Sequence, residues 1–245
     1  MAEFRMKIAG AVASVQSMFD STPQFFHNYL TQEPADFSVD IHVADLRFEQ
    51  WELDAEAERE GFRRREFTAQ FLERTAIQRA FAEDLLCCAT VLLHGSAVAV
   101  DGEGYLFMAR SGTGKSTHTR FWRELFGDRA MMINDDKPFL RIGAEGVTAF
   151  GSPWSGKHGL DTNMSVPLKG ICILERGTEN VIRPITPEEA LPMLRHQTYQ
   201  PLTSEKQAAT EKLVLQLAER VPLWRMTCTR NPKAAQVAYD AMSMK

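Results

Sequence analysis

Apolar and polar positions alternate over residues 4–8 and again over 37–43, where Phe37, Val39, Ile41 and Val43 share one face and His42 falls on the polar one. A period of two predicts half-buried strands in both places. Between them, Ser21-Thr22-Pro23 predicts a helix start, with Thr22 as N-cap and Pro23 in the first turn; Pro34 closes that region. Residues 45–60 are acidic and predict partial helix. A longer helix is expected over 65–90, with Phe67, Phe71, Phe81 and Leu85 at near-helical spacing and assigned to a core. Residues 1–64 therefore read as a small N-terminal α+β subdomain, 65–90 as a connecting helix, and 91–245 as the main domain. Nothing in the N-terminal subdomain carries recognisable chemistry. Three roles are open for it: acceptor binding, formation of a homo-oligomer, or stabilisation.

The main domain alternates strand and helix signals. Residues 91–100 are strand-like, Asp101-Gly102 signals a hairpin turn, and a strand over 105–108 follows. A helix is expected over 115–126, with Gly127 as its stop. An apolar strand over 131–136 ends in Asn134-Asp135-Asp136. Residues 139–142 and 147–150 predict a hairpin, and 168–174 predict a buried strand with 181–185 as its neighbour. Thr186-Pro187 opens a helix that ends near Arg195 and His196, and helices over 206–220 and 232–242 flank a strand at 223–228. The pattern as a whole predicts an α/β fold built on a mixed sheet.

The stretch between the 105–108 strand and the 115–126 helix changes this from a fold into a chemistry. It reads Ala109-Arg-Ser-Gly-Thr-Gly-Lys-Ser-Thr117. Gly114, Lys115 and Ser116 match the end of the phosphate-binding pattern G-x-x-x-x-G-K-[ST], with Ala109 in place of its first glycine. Gly112 and Gly114 allow backbone N–H groups to turn toward an anion, and the helix N-terminus adds positive partial charge. Ser111, Gly112, Thr113, Gly114, Lys115, Ser116 and Thr117 are thus expected to hold the phosphates of ATP. Lys115 reaches the β/γ-phosphates, and the Ser116 hydroxyl is placed for Mg²⁺. Asn134-Asp135-Asp136 alone reads as a turn. One helix beyond a phosphate loop, its carboxylates stand where a base and a metal-side group are needed. The glycine- and serine-rich loop 151–159 adds Lys157 as a phosphate-neutralising candidate, His158 as a contact to nucleotide or acceptor, and Trp154, which can pack beneath the loop. Arg195 is a candidate phosphate ligand, although a helix C-terminus favours a cation anyway.

Composition narrows the field. Twenty-eight basic against 32 acidic residues give a net charge of −4, which offers no nucleic-acid surface. The Arg63-Arg64-Arg65 run is interleaved with Glu58, Glu60 and Glu66 and reads as a solvated face. The four cysteines show no C-x-x-C spacing, so zinc is not expected, and three of them lie in apolar runs that suggest core positions. No apolar run approaches the ~20 residues of a membrane span, and no leader pattern is visible, so a cytoplasmic location without membrane partners is expected.

His94-Gly95 before a hairpin, Ser111-Gly-Thr-Gly-Lys-Ser116 and Asp135-Asp136 together resemble the catalytic domain of HPr kinase/phosphorylase. That enzyme shares its nucleotide-binding fold with ATP-dependent phosphoenolpyruvate carboxykinase. The resemblance spans about 86–245. Its closing stretch, Val221 to Cys228 followed by a helix, also resembles small HPr-kinase-like proteins, some of which serve peptide-modification systems. The resemblance implies phosphate binding by Lys115 and Ser116, a phosphate-proximal His94, Asp135 as base toward a serine hydroxyl, and Asp136 on the metal side with Ser116. It implies an ATP- and Mg-dependent kinase acting on a peptide, protein or small-molecule hydroxyl. A nucleotide-binding regulatory module without catalysis and a carboxykinase-like enzyme are the alternatives.

Overall fold

The computed structural model describes residues 1–59 and 61–244; Glu60, one of the acids expected beside the arginine run, and Lys245 lie outside the described residues. The chain divides into two units, Met1–Asp84 and Leu85–Lys245.

The first unit contains β1 (Ala2–Ile8), β2 (Ala11–Ser17), α1 (Thr22–Phe25), β3 (Phe37–Asp40), α2 (Val43–Arg59) and α3 (Ala69–Asp84). β2 pairs antiparallel with β1 and parallel with β3, so β2 is the central strand. Three sequence expectations change here. The 37–43 strand stops at Asp40, and α2 begins at Val43. Thr22 is not a cap: its hydroxyl is buried and donates to the Glu73 carboxylate, which also accepts from the Met18 N–H. α3 is shorter than 65–90 and belongs to this unit; it buries Leu72, Ala76, Ile77 and Phe81, while Phe71 is 42% exposed and stacks on Phe67. Arg64 pairs with Glu58, and the 63–65 run is exposed as expected. Glu73→Ala takes from the buried Thr22 hydroxyl the carboxylate it donates to and is expected to cost about 1–3 kcal/mol. A urea midpoint equal to that of the unaltered chain would contradict this.

The second unit runs β4 (Thr90–Leu92), β5 (Ser96–Val100), β6 (Glu103–Met108), α4 (Lys115–Phe126), β7 (Ala130–Asn134), β8 (Phe139–Ile142), β9 (Val147–Phe150), β10 (Ser165–Arg176), β11 (Val181–Pro184), α5 (Pro187–Gln197), α6 (Ser204–Arg220), β12 (Leu223–Cys228) and α7 (Lys233–Met242). The sheet order is β4-β8-β9-β10-β6-β5-β7, with β12 beside β10 and β11 beside β12. β11 is therefore not the neighbour of β10 expected from sequence. The fold is mixed α/β: β6, β10 and β12 run parallel, and the remaining pairs are antiparallel.

Strand alternation explains the layers. Leu106, Met108, Ile171 and Ile173 face α5 and α6, whereas Tyr105, Phe107, Cys172 and Leu174 face α4 and α7. A sheet covered on both faces needs apolar residues on both, so β6 and β10 read as continuous apolar runs. The Asp101-Gly102 turn has positive φ at both residues, 52° and 82°, as a two-residue hairpin requires. The expected 91–100 strand breaks at Leu93-His94-Gly95, because β4 pairs with β8 while β5 pairs with β6 and β7. Of the cysteines, only Cys172 is buried; Cys87 and Cys88 are exposed and Cys228 is half-buried, which corrects the expectation of three core thiols. Among the described residues no helix is long and apolar enough to cross a membrane.

Candidate active site

The C-terminal ends of parallel strands are where open α/β sheets bind ligands. Here β6 ends at Met108 and hands over to the loop 109–114, and β10 and β12 end beside it at Arg176 and Cys228. Gly112 and Gly114 take φ of 73° and 122°, which side chains disfavour, and no side chain caps the first turn of α4. The first N–H groups of that helix thus have neither an intrahelical partner nor a side-chain cap, the arrangement that attracts an anion. Lys115 is half-buried, and its ammonium donates to the Ala109 carbonyl at 3.1 Å. Burial lowers its pKa, Lys137 pushes the same way, and Asp136 and Asp135 oppose it.

Asp135 is 6% exposed. Its Oδ1 accepts from Ser96 Oγ at 2.6 Å, and Ser96 Oγ lies 2.9 Å from Thr119 Oγ1. Thr119 sits one turn along α4 from Lys115, with its hydroxyl 3.4 and 3.3 Å from the Lys115 and Ser116 carbonyls. With the Ser96 hydrogen given to Asp135, Thr119 donates to Ser96, and the chain Asp135–Ser96–Thr119 ties the carboxylate to the first turns of α4. Ser96 and Thr119 were missed in sequence reading. Ser96 follows the named Gly95 and Thr119 lies two residues after the named Thr117, but only folding reveals that they meet.

Asn134 explains why two adjacent aspartates diverge. It is buried, its side-chain amide donates to Ser152 O at 2.8 Å and Ser152 Oγ at 3.0 Å, and its Oδ1 accepts from Asp136 N at 2.7 Å and Lys137 N at 2.5 Å. Asn134 makes the turn, as the turn reading of Asn134-Asp135-Asp136 expects, and the two carboxylates meet different partners. Asp136 meets His94, whose Nε2 lies 3.3 Å from Asp136 Oδ1, and the Gly95 N–H donates to the Asp136 carbonyl at 3.0 Å. Burial, then Lys137, Lys115 and His196, push the His94 imidazole down to about 2. At neutral pH the contact is a neutral ring beside a carboxylate, not an ion pair.

The other expected residues divide. Ser111 and Gly112 are exposed; Thr113, Ser116 and Thr117 are half-buried around the loop. Lys157 and His158 are exposed in a short 3₁₀ turn over Gly156–His158. Gly156 brings that turn against Asp136, where an added Cβ would lie 3.2 Å from the Asp136 Cβ. Trp154 is buried beneath the loop, edge-on to Phe139. Arg195 is not at the site: it is exposed and forks onto Glu211, with contacts from 2.6 to 3.1 Å. The group near His94 from that region is His196 instead.

The donor set suits a hard cation held partly by a ligand. Ser116, Asp135 and Asp136 offer oxygen, and Mg²⁺ sites commonly use one or two carboxylates plus substrate phosphates. Among the described residues no group of three or more His, Cys, Asp or Glu is arranged as a metal cage, which such a site does not need.

His118 forms the inner wall of α4. It is 3% exposed, and its Nε2 accepts from Trp122 Nε1 at 3.1 Å. Burial lowers its pKa to about 4. The unfolded chain binds this proton below about pH 6.5 and the folded chain does not, so stability present above pH 6.5 falls as pH drops toward 4. Between pH 7.5 and 5 this group should remove about 2 kcal/mol. His118→Gln, which keeps an acceptor for the indole, should lose that part of the pH dependence in urea unfolding. An identical pH slope in both chains would refute it.

Residues 77–232 match the family model described as ScmC: SynChlorMet cassette protein ScmC. No curated protein matches the chain. Among solved structures, the Hpr(Ser) kinase/phosphatase from Coxiella burnetii is similar at 11% identity and a TM-score of 0.39, over 61% of this chain and 89% of that one. With the matched residues running from α3 through the glycine loop and Asp135-Asp136 to the end of β12, the chain belongs to the SynChlorMet cassette protein ScmC family.

Proposed function

We propose that the chain is an ATP- and Mg-dependent kinase that transfers a phosphoryl group to a hydroxyl of a peptide, protein or small molecule. The observation that carries this reading is the tie from a buried carboxylate, Asp135, through Ser96 and Thr119 to the uncapped start of α4. A phosphate loop alone would serve binding only; a carboxylate fixed beside it adds the group that a hydroxyl nucleophile needs.

The loop N–H groups of 112–117 receive the phosphates, and Lys115 offsets charge at the transferring group. Asp135 accepts the acceptor's proton, its carboxylate oriented by the hydrogen bond from the Ser96 hydroxyl. Asp136 and the Ser116 hydroxyl lie on the metal side, and Lys157 approaches the phosphates from the Gly156–His158 turn. His94, neutral, adds no charge but can share a hydrogen with Asp136. Mg²⁺, when bound, would be held by Asp136 and the Ser116 hydroxyl and would supply positive charge that offsets the phosphates. The direct test incubates the chain with ATP, Mg²⁺ and serine-bearing peptides or small alcohols, and reads each acceptor by mass. Gain of one phosphoryl group supports the reading. Tight ATP binding with neither acceptor modification nor ADP formation would leave the non-catalytic module.

A further inference from the structure

We propose that Cys87 and Cys88 form a two-thiolate clamp for a soft, thiophilic cation of low coordination number, of which Cu(I) is the type. The pair lies outside the kinase site, and the inference does not depend on the kinase reading. Both thiols are exposed, and their Sγ atoms lie 3.6 Å apart. Two sulphurs bound to one metal at about 2.3 Å, with a tetrahedral or trigonal angle between the bonds, stand about 3.8–4.0 Å apart. The observed gap is close to that bite and far from the roughly 2.0 Å of a disulfide bond. Adjacent residues also hold their Cα atoms about 3.8 Å apart, short of the roughly 4.4–6.8 Å usual across a disulfide. Closing the pair on itself strains it, whereas closing it on a cation does not.

The backbone fixes the pair. The two cysteines end a 3₁₀ turn over Leu85–Cys88, in which Leu85 is buried and Leu86 packs against the core of the second unit. Ala89 follows at a φ of 50°, a left-handed conformation that a side chain disfavours. It is held from both sides: its N–H donates to the Leu86 carbonyl at 3.0 Å, and its carbonyl accepts from the Ile142 N–H at 2.9 Å. The Cys88 carbonyl accepts from the buried Thr90 hydroxyl at 3.0 Å, and that oxygen accepts in turn from Arg141 Nε at 3.0 Å. Two thiols presented together on a fixed turn lose little further freedom when one ion joins them. Among the described residues no group of three or more His, Cys, Asp or Glu is arranged around an ion, so the pair supplies two sulphurs and no more. That falls short of a four-ligand structural zinc site. It suits a soft cation satisfied by two protein thiolates, with a small added thiol in any third position.

Binding releases the two thiol protons to solvent and changes no oxidation state. The full chain is loaded with Cu(I) under anaerobic conditions and competed with the chelator bicinchoninate. In parallel it is treated with phenylarsine oxide, whose oxygen leaves as water with the two thiol protons while two As–S bonds form. The unaltered chain should retain one Cu(I) and, by intact mass, gain one phenylarsenic group. Both probes should slow N-ethylmaleimide alkylation of Cys87 and Cys88 at least ~10-fold and leave the half-buried Cys228 at its ligand-free rate. Cys88→Ser leaves one thiol of the pair and should weaken retention of both probes at least ~10²-fold. A chain that fails to retain Cu(I), or a Cys88→Ser variant that retains either probe as well as the unaltered chain, would overturn the proposal. Recovery of a Cys87–Cys88 disulfide from buffer containing excess reduced glutathione would overturn it too, since the closed pair would then be unstrained. None of these results bears on the kinase reading.

Discussion

Lys115→Ala should reduce phosphoryl transfer by about 10²–10³-fold or more, together with a marked loss of nucleotide affinity. The ammonium is placed between the loop carbonyl of Ala109 and the field of Asp135 and Asp136. Among the described residues Lys115 is the lysine on the first turn of α4, and Lys137 acts on it from beyond the Asn134 turn. Arg176 is committed to the loop carbonyls, and Lys157 is exposed on a separate turn. The folded chain should tolerate the loss. Burial already disfavours the charged form of Lys115, so removing it relieves a desolvation cost. The unfolding midpoint is therefore expected to stay equal or rise while calorimetric ATP affinity collapses. A variant that binds ATP as the unaltered chain does would remove Lys115 from the site.

Asp135→Asn separates binding from chemistry. The amide keeps an oxygen that can accept from Ser96 Oγ, so the Ser96–Thr119 tie survives and the start of α4 stays in place. What disappears is the group that takes a proton. Transfer should fall by about 10²–10⁴-fold, the usual contribution of a positioned general base. ATP affinity should change by less than about threefold, because the loop N–H groups and Lys115 are untouched. Asp136→Asn should instead weaken Mg²⁺ dependence, since that carboxylate is proposed for the metal side. If the two variants exchange phenotypes, the roles of the pair are reversed.

The sequence made the local physics of this fold legible. The α4 helix runs over Lys115–Phe126 as expected, the Asp101-Gly102 turn joins β5 to β6, and Thr186 forms a full capping box with Glu189. Each of these is decided within a few residues, by backbone conformation or by a cap. The misreadings have long-range causes. The break at 93–95 follows from two strands joining different partners, β11 sits on β12 because β12 occupies the edge of β10, and Thr22 turns away from its helix toward a carboxylate 51 residues on. β2 went unread because Ala11-Val-Ala-Ser-Val-Gln-Ser carries a weak alternation of small residues. The site follows the same rule. Lys115, Ser116 and the aspartate pair announce themselves by motif, whereas Ser96, Thr119, His196 and Arg176 acquire meaning only beside residues brought to them by the sheet.

The central claim is that a phosphoryl group leaves ATP at Asp135. The most direct test measures Mg-dependent ADP formation, with water or a serine-bearing peptide as acceptor, in the unaltered chain and in Asp135→Asn at matched ATP occupancy. The account expects ADP formation that requires Mg²⁺ and falls at least ~10²-fold in Asp135→Asn while ATP binding persists. Equal rates in the two chains, or no ADP from the ATP-saturated unaltered chain, would contradict it.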